Sequence, residues 1–164
     1  MTRRWVLGAT ALAALAVSGG ASSPARAAAP LHPSVEIRVI QGLKTDGGVS
    51  IDPKLHDLPQ LTRDEPFIRY NVYNQLDDKV MPLQKGTPAP YDIVNGRTLR
   101  VTLLDETVEK NETRYHVRAE IDEPGKKAYL RLLDVTASAN QPFFVAGQSY
   151  QGGTLFLEMV VRSS

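Results

Sequence analysis

Between Thr113 and Ile121 the chain alternates with a period of two: Thr113, Tyr115, Val117, Ala119 and Ile121 are separated by Arg114, His116, Arg118 and Glu120. A helix would scatter these side chains around its axis, whereas an extended strand sends them to opposite faces, one apolar and one charged. Val35, Ile37 and Val39 repeat the pattern around Glu36 and Arg38. Strands are also expected at 67–73, with Ile68, Tyr70 and Val72 on one face, and over 79–83, where Pro82 confines the segment to an edge or a strand end. Further strands are expected at 91–94, 97–103, 127–135, which carries Ala128, Leu130 and Leu132, from Pro142 onward, and over 154–161.

Turn chemistry falls between these segments. Asn95-Gly96 suits a type I′ hairpin, because both residues tolerate positive φ. Lys44 to Gly48, Asp77-Asp78, Glu109-Lys110-Asn111, Pro124-Gly125 and Gly152-Gly153 mark other reversals. The one helical signal covers 51–58, where Asp52 can cap and Pro53 suits the first helical position; Pro59 limits its length. Many short strands about ten residues apart, with one short helix, predict an all-β fold: an antiparallel β-sandwich or a partly closed barrel.

The first 27 residues do not fit that pattern. Arg3 and Arg4 precede an apolar run over 6–17, and Ala25-Arg26-Ala27 offers the small-x-small spacing of a signal-peptidase site, with Ala28 as the new amino terminus. The run is too short to span a bilayer, which takes roughly 20 apolar residues, so no stable membrane anchor is expected after cleavage. Residues 1–27 are therefore expected to be a cleavable signal peptide, and 28–164 a single β-rich domain, periplasmic or extracellular. The Arg-Arg pair followed by Trp5-Val6-Leu7 is compatible with the twin-arginine route as well as with ordinary export of an unfolded chain.

Cleavage changes what composition implies. It removes three arginines and no acid, leaving 16 basic residues against 18 acidic, a balance of −2. Without clustered cations no nucleic-acid partner is expected. The sole tryptophan, Trp5, leaves as well. There is no cysteine, which excludes disulfides, zinc-thiolate sites, thiol nucleophiles and a lipidated amino terminus.

Candidate chemistry is thin. His32, His56 and His116 share no metal-ligand spacing. Gly147-Gln148-Ser149-Tyr150-Gln151-Gly152 is not the G-x-S-x-G nucleophile elbow and reads as a glycine-rich connection between strands. Asp105, Glu106, Glu109, Asp122 and Glu123 flank turns of one hairpin with no D-x-D-x-D loop, so neither a calcium site nor a glycosidase pair is indicated. Asn111-Glu112-Thr113 matches a glycosylation sequon by chance. Of the tyrosines, Tyr70 and Tyr73 are placed on opposite strand faces, and core or rim packing is expected over a binding strip. No catalytic residue, metal or cofactor is expected.

The sequence Gly-Gly-Val-Ser-Ile-Asp-Pro-Lys-Leu-His-Asp-Leu at 47–58, the Asn-Gly-Arg-Thr-Leu-Arg-Val-Thr hairpin at 95–102 and the closing Phe-Val-Ala-Gly-Gln-Ser-Tyr-Gln-Gly-Gly-Thr-Leu at 144–155 resemble a group of small exported bacterial proteins of uncharacterised function. The resemblance implies no activity and no functional residue. What remains is a non-catalytic binding domain whose partner is a protein of the cell envelope, or an accessory subunit of an envelope secretion or assembly apparatus. In the latter, the edge near Pro82 or the last strand would pair with a partner strand. A hydrolase without a recognisable motif is the weaker alternative.

Overall fold

The computed structural model describes residues 32–110 and 112–163. The proposed signal peptide, with Ala25, Ala27 and Ala28 at its cleavage site, lies outside the described residues.

The domain is all-β, as its periodicity predicts. Nine strands follow in order: β1 (Ser34–Leu43), β2 (Ser50–Ile51), β3 (Val72–Pro82), β4 (Pro88–Asp92), β5 (Thr98–Glu109), β6 (Glu112–Asp122), β7 (Tyr129–Ser138), β8 (Pro142–Tyr150) and β9 (Gly153–Arg162). They form a five-stranded sheet, β2-β3-β1-β9-β8, and a four-stranded sheet, β4-β5-β6-β7. Apart from two-residue β2, which pairs parallel with β3, all ladders are antiparallel. Setting β2 aside, the chain meanders from β3 through β9 and returns to β1. The sheets share no ladder where β3 passes to β4 or where β7 passes to β8, so the meander is flattened into a sandwich and does not close as a barrel.

The interior is filled from alternate positions of both sheets. Val35, Ile37 and Val39 of β1 meet Leu99, Val101 and Leu103 of β5, with Tyr115, Val117, Ala119 and Ile121 of β6, all buried. A second core lies on the outer face of the five-stranded sheet. The crossover from β2 to β3 lays Leu55, Leu58, Leu61 and Phe67 over Ile40, Tyr73 and Phe156. The part of β9 around Phe156 is therefore packed on both faces; residues 155–161 are all buried, and the sequence runs apolar where β6 alternates.

The structure corrects several local expectations. The one short helix is the first of three 3-10 turns, Pro53–Leu55, Pro59–Thr62 and Phe67–Arg69; in the first, Asp52 caps the Lys54 N–H and Pro53 opens the turn as expected. The strand expected at 67–73 begins only at Val72. The Asp64 carbonyl accepts the Phe67 and Ile68 amides, and burial of the Phe67 ring holds this turn against a β-favouring sequence. Tyr70 and Tyr73 do not diverge across a strand; both pack on Phe156, at centroid distances of 5.3 and 6.2 Å.

Asp77-Asp78 does not turn but lies inside β3, paired with Val39 and Arg38, because the β1 ladder carries the chain straight through. At Asn95-Gly96 only Gly96 has positive φ (79°), and the Ile93 carbonyl accepts its amide, so the hairpin is not type I′. Among the described residues, two consecutive positive φ values occur at Gln151-Gly152 (44° and 78°), which joins Tyr150 to Gly153 as a two-residue connection. Residues 147–150 belong to β8, where Gly147 (φ 119°) stands at a bulge in place of the expected connection. Leu130, in the strand expected over 127–135, is 53% exposed at the start of edge strand β7.

Candidate functional site

Few charged groups are buried in this domain, and the most enclosed is Glu158 of β9, 2% exposed at its side chain. On the outer face of the five-stranded sheet, register sets Asp78, Arg38, Glu158 and Phe144 in one row across four strands. Val80, Glu36, Val160 and Pro142 form the next. The crossover covers the Ile40 and Phe156 end of this face and stops short of the Glu36 end, leaving a groove whose wall is the segment around Asp57.

Arg38 stands in that groove with every N–H committed. Its Nε donates to one Glu158 oxygen and its Nη2 to the other at 2.9 Å. Nη1 and Nη2 donate to the two Asp57 oxygens at 2.9 Å each, and Nη1 also reaches the Lys54 carbonyl at 3.3 Å. Two bidentate carboxylates on one guanidinium use its planar fork fully. Burial pushes the Glu158 carboxyl above its ordinary range, against the pull of Arg38. Asp57, more open, is held below its range by the Arg38 hydrogen bonds. On Arg38 itself burial acts to lower the affinity for its proton, but the two carboxylates outweigh it and the guanidinium is held more firmly charged.

This bridge divides the groove. On one side a cleft of about 230 Å³ has Leu58, Pro142 and Val160 among its apolar walls and Gln60, Asn140 and Arg162 among its polar ones. Arg162 there donates to Glu36 at 2.7 Å and to the Asn140 side-chain oxygen at 3.0 Å. On the other side a shallower depression of about 450 Å³ is bounded by Glu36, Lys54, Gln75 and Asp78.

The residues singled out in the sequence do not converge on this groove. His32 and His56 are exposed. His116, on the outer face of the other sheet, shares Asp134 with Arg118. Among the described residues no three histidine or acidic side chains are grouped to hold a metal. Ser149 is exposed in β8. Asp105 pairs with Lys85, Asp122 with Arg97 and Glu123 with Lys126, while Glu106 and Glu109 are exposed on β5; the set is spread over both ends of one hairpin. Tyr73, Tyr91 and Tyr115 are core residues, and Tyr129 carries the Arg100 guanidinium 3.4 Å above its ring.

The Arg38 cluster was not found by motif because its members lie 19 and 120 positions apart. The available signal is Glu158, a lone acid inside the apolar run of the last strand.

No helix among the described residues is long and apolar enough to cross a membrane. No family model matches the chain, and no curated protein or solved structure is detectably similar to it.

Proposed function

We propose that this protein is an exported, non-catalytic β-sandwich that acts by binding a protein of the cell envelope, and that the outer edge of β3 receives a strand of that partner. The observation that carries the reading is the open edge itself. β3 is paired along its length with β1, but on its other side with β2 only at Val72 and Tyr73. Asp52 extends that cover by one residue, capping the Gln75 amide. From Leu76 to Pro82 the outer side has no ladder partner among the described residues. An extended peptide adds to such an edge through main-chain hydrogen bonds, and Asp77, Asp78 and Lys79 would restrict the choice to a partner of matching charge. Gln75 and Asp78 also bound the groove, which places side-chain pockets beside the edge.

The groove chemistry favours binding over hydrolysis. A general acid must reach its substrate. Glu158, the carboxyl raised by burial, is enclosed and spends both oxygens on Arg38, and Asp57 is tied to the same guanidinium.

The test is capture from envelope extract by the tagged full chain expressed with its own leader, repeated with Lys79→Pro and Val80→Pro. These neighbours direct their amides to opposite sides, so one proline strikes the β1 ladder and the other the free edge. The expected result is that one variant keeps its melting temperature and loses the partner, while Arg131→Glu on the opposite sheet retains it. Retention of the partner by both proline variants, or an uncleaved chain held in the cytoplasm, overturns the proposal.

A further inference from the structure

The free edges of the two sheets are chemically unlike. The open part of β3 carries Asp77, Asp78 and Lys79 and ends on Pro82. Edge strand β4 contains Pro88, Pro90 and Asp92, and edge strand β7 contains Arg131 and Asp134. Charges and prolines are the usual means of keeping an edge from pairing indiscriminately. β8 is the exception. It pairs with β9 on one side only, and its nine residues, PFFVAGQSY, include no charge; its proline occupies the first position, where a missing N–H costs the ladder least.

We propose that β8 pairs antiparallel with β8 of a second copy of this chain about a twofold axis at Phe144, joining two five-stranded sheets into one continuous sheet. A twofold interface must be complementary to itself, so the edge it uses cannot carry a charge that would face its own copy. Among the described edges longer than the two residues of β2, β8 alone meets that condition over its whole length. The Gly147 bulge limits the regular ladder to Pro142–Ala146. Centred on Phe144, that segment sets Pro142 against Ala146, Phe143 against Val145 and Phe144 against itself.

The side chains suit this register. Phe144 lies on the outer face, its ring 5.0 Å from Phe67 in edge-to-face contact, so the two copies extend one aromatic cluster across the axis. Ala146 is small and exposed, leaving room for the opposing Pro142 ring. A five-residue edge falls short of the roughly 1,200–2,000 Å² of a stable interface, so the dimer is expected to be weak, with micromolar or higher dissociation constant.

The absence of cysteine supplies the test, because one introduced cysteine can form a disulfide only between copies. Phe144→Cys is expected to convert to a covalent dimer under mild oxidation of the folded protein, and Lys79→Cys on the β3 edge to remain monomeric. Sedimentation equilibrium of the unmodified chain is expected to show reversible dimerisation that Ala146→Lys weakens by about tenfold or more at unchanged melting temperature. If Phe144→Cys does not fold, the Ala146→Lys comparison decides. A strictly monomeric unmodified chain, cross-linking of Lys79→Cys as fast as Phe144→Cys, or an Ala146→Lys variant that dimerises like the parent overturns the proposal. Envelope binding through β3 is untouched by any of these results, since it uses the opposite edge of the sheet.

Discussion

Arg38 and Glu158 are partners in one bridge, yet removing them should not cost the same. Glu158 is 2% exposed and has Arg38 as its cationic partner, whereas Arg38 is 14% exposed and holds two carboxylates. Arg38→Met leaves the enclosed carboxylate uncompensated, the situation that costs about 3–5 kcal/mol. Glu158→Gln leaves a guanidinium still paired with Asp57, 61% exposed, and an amide oxygen to accept from it. That loss is about 1 kcal/mol, the net worth of weakening one hydrogen bond. At roughly 3–5 °C per kcal/mol for a domain of this size, the first variant should melt roughly 10–20 °C low and the second only a few degrees low. Joint replacement, Arg38→Met with Glu158→Leu, removes the stranded charge and should return to within about 1 kcal/mol of the parent, the residue being the partly exposed tie to Asp57.

The same asymmetry should appear in pH. Burial raises the Glu158 carboxyl in the folded state, and loss of Arg38 raises it further. A group whose folded value exceeds its unfolded value contributes stability that is fully present below the unfolded value and is lost as pH rises through the folded one. The deficit of Arg38→Met should therefore be largest near neutrality and shrink as pH falls toward the ordinary glutamate value of about 4.3. Urea unfolding followed by circular dichroism at both ends of that interval measures it. Equal costs for the two single variants, or a deficit independent of pH, would refute the assignment of Glu158 as the costly partner.

Gly153→Ala would place a Cβ 2.6 Å from the Gly42 carbonyl oxygen and 2.8 Å from a Leu43 methyl, so β1 must shift; urea unfolding should show a loss of about 1–3 kcal/mol. Asp52→Ala removes both the cap on the Lys54 amide and the contact to the Gln75 amide, and should cost about 1 kcal/mol in the same assay. Asp57→Asn tests the outer half of the bridge. Its folded carboxyl is lowered by Arg38, so its contribution is present above the ordinary aspartate value of about 3.9 and lost as pH falls through the lowered one. The gap between parent and variant in melting temperature should be small, steady from pH 5 to 7, and absent in strong acid.

Strands that pack on one face were legible because alternation records a single buried side. β6 shows this: Tyr115, Val117, Ala119 and Ile121 are inward as their spacing predicts. The crossover from β2 to β3 was not legible, because its structure is set by what lies beneath it. Phe67-Ile68-Arg69-Tyr70 has strand composition, but Phe67 and Tyr70 are drawn onto Phe156, more than eighty positions away, and the backbone turns to deliver them. Composition registers that a residue wants burial and says nothing of which distant surface provides it.

The bridge was hidden for a related reason, and its position follows from the crossover. Covering half of the outer sheet face makes the neighbouring half a boundary, where Ile40 and Phe156 are sealed while Glu36 and Val160 border the groove. Arg38 and Glu158 occupy that boundary row, opposite one another in the ladder, and Asp57 comes from the covering segment. An apolar pair there would bury as well but could not tell the crossover where to stop. A guanidinium with one fork on the sheet and the other on Asp57 fixes that position by direction as well as by contact. Arg38→Met with Glu158→Leu should therefore leave stability nearly intact while amide exchange over residues 54–58 quickens relative to β6, and unchanged exchange there would show the bridge to be dispensable for placing the crossover.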